Sequence, residues 1–188
     1  MRIFLSVLIL IFSLQSWTKA EDIREFEIEG MSIGDSALDF FSSTEIDNAN
    51  EESYPDRRFL ALSIWKSFGP YEVMQIVVKP NDPKYELYAI VGVIPYRKNI
   101  DDCYKKMNEI VNEVSSALKN IKKTDYGRLD NPALSDPYGG TYDLVSFKFN
   151  DGRAQVSCND WSEKSEIVDS VKVELYSSEY DQYLDEIL

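Results

Sequence analysis

One stretch of this chain limits its fold more than any other. Between positions 99 and 123, Ile100, Cys103, Met107, Ile110, Val111, Val114, Ala117, Leu118 and Ile121 recur at steps of three and four. Residues so spaced share one side of an α-helix, and a helix with one apolar stripe must lay it on another element. Asn99 suits the N-cap, Asp101 and Asp102 suit the positive first turn, and Lys119, Lys122 and Lys123 suit the negative end.

The flanking segments read as strands, so the partner of that helix is a sheet. Residues 59–65, 71–78 and 87–94 are rich in β-branched and apolar side chains, parted by Gly69-Pro70 and by Lys79-Pro80-Asn81-Asp82-Pro83. Residues 142–149 and 153–158 flank Asn150-Asp151-Gly152, where Asp-Gly signals a hairpin. In 170–176 Val171, Val173 and Leu175 alternate with Lys172, Glu174 and Tyr176, one set facing in and one facing out. Shorter pieces complete the outline. Residues 21–29 form an edge strand or an arm. Asp35 or Ser36 caps a short helix through Phe41, and Ser43-Thr44 starts another. Residues 48–56 and 124–140 read as loops, and 178–188 as a short amphipathic tail helix. The expected fold is α+β, with one domain over 21–188. Its mainly antiparallel sheet consists of two three-stranded meanders, packed by one long helix and short helices.

The N-terminus addresses the chain to export. Arg2 precedes an apolar run over 3–14, and Thr18-Lys19-Ala20 offers small residues for cleavage between Ala20 and Glu21. A membrane-spanning helix needs about 20 apolar residues, so the run is too short to remain as an anchor. Removing Arg2 and Lys19 leaves 18 basic residues against 33 acidic ones, a formal charge of −15. Such a surface repels phosphate backbones, which excludes nucleic acid as a partner. The destination is the periplasm or the medium, with no membrane span after cleavage.

The chemistry-bearing residues are few. Histidine is absent, which removes the commonest general base and zinc ligand and every Ser-His or Cys-His pair. In an exported chain two cysteines favour a disulfide. Cys103 lies on the helix stripe and Cys158 shares a strand face with Ala154 and Val156, so both point at one helix–sheet interface. The loop holding Asp125, Asp130, Asn131 and Asp136 supplies oxygen ligands for calcium, without EF-hand spacing. It is read as a solvated turn, and no metal or cofactor is expected. Tyr138, Tyr142 and Trp161 lie in or beside loops, where aromatic rings serve recognition of sugars or proteins.

Ile33-Gly34-Asp35-Ser36 resembles the Gly-Asp-Ser-Leu block of the serine esterases named for it, which implies Ser36 as nucleophile. Here Ala37 replaces the leucine, and the family's activating histidine is absent, so Ser36 is read as a helix cap. The stretches 26–42, FEIEGMSIGDSALDFFS, and 101–111, DDCYKKMNEIV, resemble a group of small exported bacterial proteins of unknown function. In that group an Ile-Glu-Gly-x-Ser-Ile-Gly-Asp-Ser block follows the signal peptide, and the resemblance implies export without an activity. At fold level the helix-plus-meander order is similar to outer-envelope assembly lipoproteins and β-lactamase-inhibitor-like repeats. The expected role is a non-catalytic binding or envelope-associated domain whose partner is another envelope protein. The alternative is a carboxylate- or metal-dependent hydrolase.

Overall fold

The computed structural model describes residues 22–97, 99–118, 121–131 and 139–187. The expected leader and its cleavage point at Ala20 and Glu21 lie outside these residues, as do Lys119, Asp136 and Tyr138. Every strand pairs antiparallel in one eight-stranded sheet of order β1-β2-β3-β4-β8-β7-β6-β5. β1 is Asn50–Ser53, β2 Leu60–Phe68, β3 Tyr71–Val78, β4 Ala89–Pro95, β5 Lys122–Asn131, β6 Gly140–Lys148, β7 Gly152–Trp161 and β8 Ser170–Ser177. The helices are α1 (Ser43–Asp47), α2 (Ile100–Ala117) and α3 (Ser178–Ile187). The class is α+β. The separate three-stranded meanders are replaced by a continuous sheet, in which each half has four strands and β4 joins β8 edge to edge.

The two added strands correct the reading of 48–56 and 124–140 as loops. β1 is Asn-Glu-Glu-Ser and β5 is Lys-Lys-Thr-Asp-Tyr-Gly-Arg-Leu-Asp-Asn, both poor in β-formers. Each sits at a sheet edge, where one neighbour supplies the ladder and charged side chains keep the free edge from pairing with other chains. The helix also ends sooner than its stripe suggested. Leu118 leaves α-geometry at φ −107° and ψ 57°, and Lys122 and Lys123 belong to β5. Leu118 stays buried while the chain turns to pair with β6, so the stripe outlasts the helix.

The described part of 21–29, residues 22–29, forms neither an edge strand nor a free arm. Ile23–Glu25 is a 3-10 turn capped by Asp22, and Ile23 is buried beneath the β6–β7 hairpin. Gly152 permits that approach, since a Cβ there would fall 2.2 Å from the Tyr176 carbonyl oxygen and 2.9 Å from Ile23 Cγ2. The short helices follow the capping logic more closely. Ser36 accepts from Leu38 N–H ahead of a 3-10 turn at Ala37–Asp39, and Ser42 with Glu45 forms a reciprocal capping box on α1.

The helical face holds the main core. Met31, Phe41, Met74, Ile76, Ile90, Cys103, Val156 and Val171 are buried together there. On the opposite face α3 folds back over Phe59, Ala61, Val77 and Ala89, burying Tyr180 and Tyr183. Asp181, 7% exposed, is paired there with Lys148 Nζ at 2.7 Å and Arg153 Nε at 2.6 Å. The tail helix therefore spends its apolar side on its own sheet. Among the described residues no helix is long and apolar enough to cross a membrane.

Candidate functional site

α2 sits over β7 and β8 and leaves the helical side of β5 and β6 partly open. Asn99 Oδ1 accepts from Asp101 N–H at 3.1 Å, fixing the start of the helix, and Cys103, Met107 and Val111 turn its buried side toward the sheet. The Cys103–Cys158 disulfide, with Cα atoms 5.9 Å apart, fixes α2 to β7 one turn from its start. The result is a groove of about 600 Å³ between α2 and the β5–β6 edge, with Met107 and Val145 along its apolar floor.

One cross-strand row builds the polar side of this groove. Arg128 on β5 stands opposite Asp143 on β6, and Asp143 stands opposite Cys158 on β7. Neighbours in such a row share a sheet face, so the disulfide that positions α2 stands beside the carboxylate that positions Arg128. Arg128 Nε and Nη2 donate to the two Asp143 oxygens at 3.2 and 3.3 Å. Its guanidinium carbon lies 5.0 Å from the centre of the Tyr104 ring, a cation–π placement. Tyr104 Oη donates to Asp160 Oδ2 at 3.1 Å. Burial, and after it the Asp160 carboxylate, pushes the Tyr104 hydroxyl up to about 12, so the ring stays neutral. Asp143 in turn holds Arg128 above the usual guanidinium range.

A bulge places the remaining acid. The β5–β6 register shifts between Asp125 and Gly127, with Gly127 at φ +62° and its N–H donating to Asp125 Oδ1 at 2.9 Å. The inserted Tyr126 is 53% exposed. The extra residue changes the strand's parity, so Asp125 and Arg128, three positions apart, both line the groove.

Of the residues singled out from sequence, Asp125 lines the groove, and the other described ones are placed elsewhere or serve the fold. Ser36 Oγ donates to the Lys84 carbonyl at 2.6 Å as well as capping its turn, and neighbouring backbone bonds run from Gly34 N–H to Leu87 O and from Leu87 N–H to Asp35 O. The Ile-Glu-Gly block thus clamps the entry to β4. Asp125 and Asp130 are five positions apart along β5, about 16 Å by strand rise, so they do not converge. Among the described residues no group of three metal-ligating side chains is found. Tyr142 is half-buried on β6, opposite Asn159, and Trp161 ends β7 with its backbone N–H donating to Asp169 Oδ1 at 2.8 Å. Sequence reasoning passed over Tyr104, Arg128 and Asp143. The readable signal was Asp125-Tyr126-Gly127, an Asx-turn with a glycine, which marks a bulge when it falls in a strand. No protein-family model, curated protein or solved structure matches the chain.

Proposed function

We propose that the chain is exported to the periplasm or the medium and acts there as a non-catalytic binding domain. The α2/β5–β6 groove is its binding surface, and the ligand is a lysine or arginine side chain presented by another envelope protein. The observation that carries this is the groove's composition, the two carboxylates of Asp125 and Asp143 around the single Arg128 guanidinium above a floor of Met107 and Val145. Arg128 is committed to Asp143 and Tyr104, and Asp160 to Tyr104, while among the described residues Asp125 uses only Oδ1, on the Gly127 N–H. A basic side chain would lay its aliphatic stem on Met107 and bring its cation to Asp125. The disulfide is compatible with an oxidising compartment.

The hydrolase alternative asks for two free, converging carboxylates. The described pair with opposed shifts is Asp22 and Asp151. Hydrogen bonds from Arg24 hold Asp22 well below the usual range, and burial followed by Asp22 itself raises Asp151. Arg24 and the Ile23 N–H, 2.9 Å from Asp151 Oδ1, occupy both acids, so they clasp the N-terminal turn to the β6–β7 hairpin.

Titrating the mature protein with a short lysine-rich peptide, followed by amide NMR shifts, tests the reading. Saturable shifts at Tyr104, Asn108 and Gly127, weakened about tenfold by Asp125→Asn, are expected for one lost charge-assisted contact. Shifts scattered over the acidic surface, or an equal response to an acidic peptide, overturn the groove assignment. Intact mass of the exported protein tests compartment separately. A chain starting at Glu21 that takes up alkylating reagent only after reduction is expected, and a retained leader with free thiols overturns it.

A further inference from the structure

A second concavity lies at the opposite edge of the sheet, and its aromatic side chain has no partner. β1 pairs with β2 only from Leu60 to Ser63, so from Ile64 onward that edge of β2 has no neighbouring strand. α1 crosses beside the gap and leaves a groove of about 400 Å³, within the range of small-molecule sites. Trp65 stands at its rim with 75% of its surface exposed, the most exposed large apolar side chain among the described residues. Its cross-strand neighbour Val73 is only half-buried, so nothing described covers the indole.

The rest of the lining sets Ala49 and Ile64 beside polar side chains, several of them held in place. Glu45 Oε2 accepts from the Ser42 N–H and hydroxyl, and Oε1 accepts from Lys66 Nζ at 2.6 Å. Gln75 Nε2 donates to Ser63 Oγ at 3.1 Å, and Asn48 places an amide on the same rim. An open aromatic face beside fixed hydroxyl, amide and ammonium groups suits a pyranose ring, whose C–H face stacks on an aromatic ring while its hydroxyls hydrogen-bond around it. The other groove lacks this feature, because Arg128 already occupies the face of Tyr104. An extended peptide is disfavoured, because β2 carries a bulge against β3 between Trp65 and Phe68, which leaves only a short regular stretch of free edge beyond Ser63. The chain's excess of 33 acidic over 20 basic residues repels anionic polymers.

We infer that the Trp65 groove is a binding site for an uncharged saccharide, with Trp65 as stacking platform and Asn48 and Lys66 as hydroxyl partners. It stands apart from the α2 groove and does not depend on it. The expected mature chain keeps two tryptophans, Trp65 and Trp161, so indole fluorescence reports the site directly. Titration with oligosaccharides of N-acetylglucosamine and of glucose, up to about 10 mM, is expected to give a saturable blue shift and protection from acrylamide quenching. Read by titration calorimetry, since the first variant lacks the reporting indole, Trp65→Ala is expected to weaken binding about tenfold or more and Asn48→Ala several-fold, with unchanged thermal unfolding because both side chains are exposed. Trp161→Phe is expected to leave affinity unchanged. The inference is overturned by a wild-type protein that responds to none of these sugars, by equal affinity in Trp65→Ala, or by a Trp65 response to an extended peptide alone.

Discussion

The two faces of the sheet are closed by different chemistry. On the helical face Met74, Ile76, Ile90 and Val156 pack against Met31, Phe41 and Met107, and a disulfide ties α2 to β7. Apart from tyrosines at its margin, that closure is insensitive to proton concentration. Under α3 the packing is aromatic and its fixing points are polar. Tyr54 and Tyr180 share a short hydroxyl–hydroxyl bond, and Tyr183 Oη donates to Asp56 Oδ1 at 3.0 Å beneath the Arg58 guanidinium. Asp181 faces Lys148 and Arg153. The comparison teaches that α3 is held by aromatic packing, tyrosine hydroxyls and one buried acid, whereas the helical face is held by aliphatic packing and a covalent tie.

Removing the covalent tie is the strongest way to break this contrast. The two cysteines are 55 positions apart, and a loop of that length contributes about 4 kcal/mol in the chain-entropy model. Replacing both by alanine is therefore expected to lower the thermal midpoint by about 10 °C or more, read by circular dichroism. A shift of only a degree or two would place the anchor of the helical face in packing alone. The same variant should lose the groove response to basic peptide, since Cys158 and Asp143 are cross-strand neighbours.

Asp181→Ala comes next. Breaking a fully buried ion pair costs about 3–5 kcal/mol, but Lys148 is 56% exposed and recovers much of its hydration, so about 2 kcal/mol is expected here. Hydrogen exchange should show the loss confined to Ser178–Ile187 and its contacts, with α2 protected as before. Equal loss of protection in α2 would show that the two faces unfold as one unit.

The smallest effect sharpens the comparison through pH. Burial, and after it Asp56, pushes the Tyr183 hydroxyl up to about 12, and burial also raises Tyr54, Tyr176 and Tyr180. In the unfolded chain each ionises near pH 10. The stability they contribute is thus fully present below about pH 10 and is lost as pH rises toward 12. Tyr71 and Tyr104 on the helical face, also raised to about 12 by burial, titrate in the same window. A variant with Tyr54, Tyr176, Tyr180 and Tyr183 each replaced by phenylalanine separates the faces. Its urea midpoint is expected to fall less between pH 9 and 11 than that of the parent chain, and an equal fall would assign the alkaline loss to Tyr71 and Tyr104 instead.

Much of the architecture was legible because it is written in periodicity. The stripe from Ile100 to Leu118, the alternation in β8 and the Asp-Gly turn before β7 each repeat a local rule several times. β1 and β5 were not legible, because an edge strand rich in Lys, Asp and Glu has the composition of a loop and becomes a strand only through its neighbour's ladder. The groove was hidden for the same reason. Tyr104 reads as one more residue beside a helix stripe, and Arg128 and Asp125 fall on one face only after the Gly127 bulge shifts the strand's parity. Trp65 closes the apolar run 59–65, and sequence records that a side chain is apolar but not whether anything covers it.

The sequence by itself determined the class of the fold, the buried side of α2, the caps at Ser36 and Asn99, and the common interface toward which Cys103 and Cys158 point. Those depend on spacing within one element, where the chain's own geometry fixes which side chains are neighbours. Only the tertiary structure decided that the two halves join through β4 and β8 into one sheet, that α3 turns its tyrosines onto its own chain, and which aromatic ring stays open at an edge. Those depend on pairs far apart in sequence, whose meeting is set by the competition among strands for partners and among apolar faces for cover.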